Sequence, residues 1–256
     1  MAQIIHSLWD VLRSPVRQDL FTGDPSDLAA RMSDYYRSPV SRAYYEKLDA
    51  KGAESDWEDM SRRDRFLDVC RSAHQILDFG CGTGHLAYSL AQHFPDAKIW
   101  GIDIGDTAEK LAVEKTDQAG MDNLVFRRGN LISSGFADNM FDVVVSRFVV
   151  EHVVCPVEMV EEACRILRPG GILYMVYPHL LLTASVRATF RELVSWLRPG
   201  ISITYLNPDF SCAPCADADA VWLTNDIKLR RILRHAGLTI ECNKRAQSLL
   251  VARKPL

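Results

Sequence analysis

What the chain lacks sets its first limits. No apolar run approaches the roughly 18 residues that a membrane-spanning helix needs. The triplet Leu180-Leu181-Leu182 follows His179 directly and Arg187 comes soon after, so it reads as part of a core helix. Near the N-terminus, Asp10 and Arg13 break up the apolar stretch that a secretory signal requires. These absences predict no membrane insertion and a cytoplasmic location. Repeats and low-complexity tracts are missing too. Charge of one sign is scarce: 30 Lys and Arg against 33 Asp and Glu leave a formal charge of -3, with a sequence pI near 6.2. Such a balance gives no general pull toward nucleic acid or anionic lipid.

Paired cysteines are equally thin. Seven cysteines, an odd number, are scattered over a chain too long to need disulfide staples, which predicts reduced thiols. Cys212-Ala213-Pro214-Cys215 is the one close pair. A zinc site there would need two more ligands, and no second CxxC and no HxxxH supplies them. Redox chemistry of the thioredoxin kind wants this motif between a strand and a helix, whereas Asn207, Pro208 and Pro214 mark a loop. The expectation is therefore no metal.

What is present is an ordinary globular composition, with 48% hydrophobic residues, enough for one large domain with an accessory part. Residues 1–72 read as a polar, helical cap, with helix-like stretches at 26–37, 40–50 and 57–72. From 73 onward, short apolar runs alternate with amphipathic stretches. The runs are Gln75–Phe79, Lys98–Asp103, Leu124–Arg128, Phe141–Ser146 and Ile172–Tyr177, with helical patterns at 84–94, 107–119 and 156–167 between them. Strands alternating with helices imply βαβ units, a parallel sheet and helices on both faces. A long insertion, 178–224, holds a helix pattern at 182–197 and a Pro-rich loop. A helix at 225–236, stopped by Gly237, then precedes strands at 238–243 and 247–253 that form a hairpin at one sheet edge. The fold class is α/β: a doubly wound, mostly parallel sheet with core 73–256, a helical N-terminal cap, and 178–224 as a lid.

The motif that carries chemistry is Asp78-Phe79-Gly80-Cys81-Gly82-Thr83-Gly84, a strand running into a glycine-rich turn and a helix near His85. Glycine permits the tight turn and close approach of a ligand to the backbone. The helix start beyond it offers N–H groups to an anion. A dinucleotide fingerprint spaces its glycines as GxGxxG, but here the spacing is GxGxG, and His85 stands where the third glycine would be. A second strand ends at Gly101-Ile102-Asp103, where an acidic residue can accept hydrogen bonds from ribose hydroxyls. The plainer alternatives are a turn without ligand and a surface aspartate.

Together with Phe141–Val153 and Leu167-Arg168-Pro169-Gly170-Gly171, these stretches make the chain resemble the class I S-adenosylmethionine-dependent methyltransferases, the broad group that includes ubiquinone-biosynthesis O-methyltransferases. The resemblance covers residues 74–177 and the final strand pair. It implies a seven-stranded Rossmann-like sheet and S-adenosylmethionine as cofactor, with S-adenosylhomocysteine as product. By position, Gly80, Cys81, Gly82 and Gly84 line the methionine half, which Asp78 orients. Asp103 holds the ribose, Ile104 lies against adenine, and Asn130 and Leu131 flank it. Asparagine stands where the family usually has an acidic residue, and its carbonyl oxygen can still take the adenine amino group. Ser146 and Arg147 border the sulfonium and the acceptor.

The acceptor is the least legible element. Glu151-His152 matches the quinone-ring O-methyltransferases, and histidine titrates near neutrality, so His152 is a candidate base; the competing role is to fix the loop after the fourth strand. Some relatives carry an acidic residue where Phe148 stands and use the set for metal. His179 is the second candidate base. Tyr35-Tyr36 and Tyr44-Tyr45 either close over the cofactor or pack the cap, while Arg187, Arg191 and Tyr205 are lid candidates. The expected function is methyl transfer to a small molecule, most simply O-methylation of a natural product or quinone-like compound, by a monomer or homodimer. Alternatives are a sugar or lipid-linked acceptor, a catalytically silent cofactor-binding partner, and an NAD-type oxidoreductase, which the glycine spacing disfavours.

Overall fold

Runs of Val, Ile and Phe too short for helices build the sheet. In the computed structural model, which describes residues 34–50, 60–153, 155–177, 226–244 and 249–256, these runs become β1 (Gln75–Phe79), β2 (Lys98–Asp103), β3 (Leu124–Arg128), β4 (Phe141–Arg147) and β5 (Leu167–Val176), joined by β6 (Thr239–Lys244) and β7 (Leu249–Arg253). The seven strands lie in the order β3-β2-β1-β4-β5-β7-β6. β1 to β5 are parallel, and β7 runs antiparallel to both its neighbours. The chain winds outward from β1 through β2 to β3, then crosses to the other side of β1 as β4. The direction of winding thus reverses between β1 and β4, and a crevice opens at their carboxyl ends.

Among the described residues, six helices frame the sheet: α1 (Pro39–Ala50), α2 (Met60–Cys70), α3 (His85–His93), α4 (Asp106–Ala119), α5 (Pro156–Ile166) and α6 (Asp226–His235). Successive strand residues point to opposite faces, and the core divides accordingly. Val143 and Val145 of β4 join Ile76, Ile99, Tyr174, Phe66 of α2 and Leu90 of α3. Val144 joins Leu77, Phe79, Met175, Met159 and Ala163 of α5, and Leu233 of α6. On α5, Pro156, Met159, Val160, Ala163 and Ile166 are buried, a helical stripe facing the sheet. Each fully buried Val, Leu, Ile or Met contributes roughly 1.5–3 kcal/mol from apolar burial, so these two layers hold the crevice rigid. Gly237, in the left-handed region at φ +87, ends α6, and Leu238 N donates to Leu233 O across it at 2.9 Å.

The element ends mostly fall within two residues of the sequence reading, and two strands differ in a way that matters. β4 extends to Arg147. β5 begins at Leu167, so the Leu167–Gly171 stretch ahead of the expected run Ile172–Tyr177 is the strand's own start. The reason is long-range pairing: Gly170 N donates to Lys254 O and Lys254 N to Gly171 O, both at 2.9 Å, and the register shifts between Phe141 and Val143 opposite the two glycines. The final hairpin forms, but with β7 inside and β6 on the edge. The expected lid at 178–224 and residues 1–33 of the cap lie outside the described residues, as do His179, Arg187, Arg191, Tyr205, Cys212 and Cys215. Among the described residues no helix is long and apolar enough to cross a membrane.

Candidate functional site

The glycine loop occupies the crevice at the carboxyl end of β1. Gly80, Gly82 and Gly84 have φ of +90, +52 and +79, a conformation that costs a side-chain-bearing residue about 1–2 kcal/mol. Gly80 N and Cys81 N both donate to Ile102 O, at 2.9 and 3.0 Å, pinning the loop to β2. The three glycines serve different neighbours. A methyl group on Gly80 would lie 2.4 Å from Val149 Cγ2, and one on Gly84 2.4 Å from Phe126 Cζ, whereas one on Gly82 would meet nothing nearer than Tyr45 Cε1 at 3.9 Å. Gly84 is thus a packing glycine between α3, α4 and β3, and Gly82 is the one that faces open space.

Asp103 ends β2 and is buried at 8% exposure. Its Oδ2 accepts from Gly82 N and its Oδ1 from Gly105 N, each at 2.9 Å. The carboxylate therefore ties two loops together and retains lone pairs for further donors. Ile104 beside it is half-buried. Asn130 is exposed and Leu131 buried. Asn130 Oδ1 accepts from Ile132 N at 3.1 Å, an Asx turn that shapes the loop after β3, and Leu131 packs into the core. Glu162 of α5 anchors the same loop, accepting from Ser134 N at 2.7 Å and Ser134 Oγ at 2.5 Å. Arg165 donates to both its oxygens at 2.7 Å, and these hydrogen bonds bring Glu162 down to about 2.

Across the crevice, Ser146 near the end of β4 is 1% exposed, and its Oγ has no hydrogen-bond partner among the described residues. Arg147 is half-buried. Phe148 then takes φ +52 while remaining 46% exposed. Its N–H is held by Val176 O at 2.8 Å. A bulky residue seldom adopts this conformation, and here that hydrogen bond to β5 holds it. Glu151 is buried and His152 half-buried; His152 Nε2 lies 3.8 Å from Glu151 Oε1, and His152 N donates to Val149 O at 2.8 Å. Among the described residues no three His, Cys, Asp or Glu side chains group as metal ligands.

The field in the loop is negative. Burial pushes the Cys81 thiol well above its usual range, and Asp103, Asp78 and Glu109 push it further in the same direction. Burial penalises charge of either sign, while the carboxylates' part of the shift favours a cation such as a sulfonium over an anion such as pyrophosphate. The α3 N-terminus has Gly84 as its N-cap and no side-chain cap, leaving first-turn N–H groups for a carboxylate. Open space over Gly82, a buried carboxylate at the β2 end, an uncapped helix start and the orphaned Ser146 hydroxyl together fit the amino acid and ribose parts of S-adenosylmethionine.

The sequence leaves Tyr45 of α1 either closing over the cofactor or packing the cap, and does not foresee its seat against Gly82 and Gly105. Tyr45 is buried, 6.3 Å from Tyr36 and 5.6 Å from Tyr44 between ring centroids. A methyl group on Gly105 would lie 3.4 Å from its Cε2. The paired tyrosines were visible in the sequence, but their apposition to Gly82 and Gly105 joins segments far apart in the chain and leaves no local signal.

Comparison with known proteins agrees with this geometry. The family described as Methyltransferase domain matches residues 71–221, more than half of the chain. Over 118 residues the chain is 38% identical to an arsenite methyltransferase of Aquipseudomonas alcaligenes, covering 42% of this chain and 32% of that protein. It is 32% identical over 99 residues to a demethylmenaquinone methyltransferase of Geobacillus stearothermophilus, covering 38% and 42%. The matches thus span less than half the length of these relatives. A SAM dependent methyltransferase from Aquifex aeolicus superposes with a TM-score of 0.59 over 83% of this chain and 96% of that one at 16% identity, a likeness of fold. The chain belongs to the methyltransferase domain family and has the seven-stranded fold seen in S-adenosylmethionine-dependent methyltransferases.

Proposed function

We propose that this methyltransferase acts on a hydroxyl of a small molecule with a flat apolar ring, a quinone-like compound or a natural product. Phe148 carries this reading. An aromatic side chain held at φ +52 and 46% exposed directly after β4 offers a platform to a ring, with Ser146, Arg147 and the Glu151-His152 pair within a few residues of it. The demethylmenaquinone methyltransferases among the relatives lend support to a ring acceptor.

S-adenosylmethionine supplies a methyl group already activated on a sulfonium. The chain's own task is then alignment, exclusion of water and removal of a proton. Asp78, Gly80, Cys81 and Gly82 are assigned to the methionine half and Asp103 to the ribose, while Ile104, Asn130 and Leu131 border the adenine. Gly84 supports the loop from behind, through Phe126 and Ala112. The acceptor oxygen attacks the methyl carbon in line as the carbon–sulfur bond breaks, and its proton passes to a base. His152 is the candidate base among the described residues, with Glu151 stabilising the imidazolium; His179 is the second. The cap helix α1, whose Tyr45 lies against Gly82 and Gly105, supports a small acceptor over a polymer.

The test is direct. The protein is incubated with S-adenosylmethionine and a panel of quinols and phenols, sugars, phospholipids, amines and arsenite, and products are read by mass spectrometry. Methyl ethers of the ring hydroxyls are expected. Methylation confined to sugars, lipids, nitrogen or arsenic overturns the acceptor assignment. Tight binding of S-adenosylhomocysteine with no turnover on any acceptor points to a catalytically silent partner protein.

A further inference from the structure

The cap helix α1 meets the core through a polar cluster that the chemistry above does not use. Asp49 Oδ1 lies 2.7 Å from Lys115 Nζ on α4 and 3.1 Å from His85 Nε2, at the first residue of α3. Lys115 Nζ also donates to Thr83 O, inside the glycine loop, at 3.0 Å. The three side chains are 28%, 21% and 11% exposed for Asp49, Lys115 and His85. One ammonium therefore bonds the cap and the backbone of the glycine loop at once.

Residues four apart share a helix face. Ser41, Tyr45 and Asp49 form such a row on α1, with Ser41 at 1% and Tyr45 at 7% exposure. Asp49 fixes the end of the row against α3 and α4; one turn back, Tyr45 lies against the Gly82 and Gly105 positions. Those are the two residues whose amides hold Asp103. The glycine loop, the ribose-side carboxylate and the cap are thus tied into one assembly by the polar cluster on one side and the tyrosine on the other.

We propose that Asp49, Lys115 and His85 form a latch that holds α1 closed over the methyl-donor site. Asp49 and Lys115 are positioning residues: they act on the donor through Tyr45 and the Thr83 carbonyl, without touching it. The inference rests on the donor-site assignment given above. Opening the latch lets α1 lift, and bound donor then escapes faster. The pair is part-buried and stands at the rim of the core, so its removal costs less than that of a fully buried ion pair and should change ligand residence without unfolding the protein.

Asp49→Asn, Lys115→Met and the double variant test this, with Asp49→Glu as the conservative replacement and Asp68→Asn, in an exposed pair on α2, as control. S-adenosylhomocysteine affinity is read by calorimetry, its dissociation rate by stopped-flow chase, and Tm in parallel. Each single variant should bind about five-fold or more weakly, mainly through faster dissociation and with Tm nearly unchanged. The double variant should be no worse than the weaker single, Asp49→Glu should recover part of the loss, and Tyr45→Ala should reproduce it. If Asp49→Asn does not fold, Lys115→Met carries the test. Wild-type protein that binds no S-adenosylhomocysteine overturns the donor-site assignment. Wild-type binding matched within two-fold by both latch variants, or losses that track a falling Tm, overturns the latch alone.

Discussion

Two glycines in one loop should respond oppositely to the same substitution. At Gly84, alanine would sit at φ +79 with its methyl 2.4 Å from Phe126 Cζ and 2.9 Å from Ala112 Cβ. The left-handed backbone costs about 1–2 kcal/mol and the overpacking about 1–3 kcal/mol, so Gly84→Ala should lose about 2–5 kcal/mol of stability. At Gly82, alanine at φ +52 finds its nearest neighbour, Tyr45 Cε1, at 3.9 Å. Only the backbone cost applies, about 1–2 kcal/mol, but the methyl enters the space assigned to the donor. Gly82→Ala should therefore weaken S-adenosylhomocysteine binding at least about ten-fold, or roughly 1.4 kcal/mol, while remaining folded. Chemical denaturation followed by calorimetric titration separates the two. A Gly84→Ala protein as stable as wild type, or a Gly82→Ala protein that binds with full affinity, refutes the division of labour drawn from the loop.

Three further outcomes follow from the site. Asp103→Asn keeps the shape but turns an amide NH2 toward the N–H of Gly82 or Gly105; donor affinity should fall at least about ten-fold, the effect of losing a charged acceptor, as measured by calorimetry. Phe148→Asn places a residue that tolerates φ +52 where an exposed ring stood. Stability should hold or rise by up to about 1 kcal/mol, while KM for a ring acceptor rises, and an unchanged KM removes Phe148 from the acceptor surface. Glu162 is lowered from 4.5 to about 2 in the folded protein by Arg165 and Ser134. Its contribution, up to roughly 3 kcal/mol, is complete above about pH 4.5 and fades as pH falls toward 2. Denaturation midpoints at pH 7 and pH 3 should differ more for wild type than for Glu162→Gln, and equal differences would show that the Glu162 network does not set acid stability.

Elements governed by local chemistry were legible in the sequence. The apolar runs at 75–79, 98–103 and 124–128 coincide with β1, β2 and β3, because short clusters of Ile, Leu, Val, Phe and Trp bounded by polar residues favour strands over helices. The GxGxG spacing and Asp103 pointed to the crevice because their geometry is set within one βα unit and the next strand. The start of β5 was not legible, since Pro169-Gly170-Gly171 obeys turn rules locally and is recruited into the sheet by Lys254 from the far end of the chain. The same holds for Asp49, Lys115 and His85, which form an ordinary set of charged residues until the fold brings them together. Gly84 illustrates a third case: its position was evident, but only the Phe126 contact shows that it supports the loop from behind.

The placement of β7 between β5 and β6 has a consequence for how the protein is made. As the chain leaves the ribosome, β1 to β5 can assemble in order, each beside a strand already synthesised. The outer edge of β5 then waits, a long, buried and strongly apolar strand with its backbone unpaired, until residues 249–253 emerge. An open edge of that kind recruits other strands, and non-local closure is slow. The nascent protein therefore carries an unpaired β5 edge, its period of greatest aggregation risk, until residues 249–253 are made and their pairing with β5 closes the sheet.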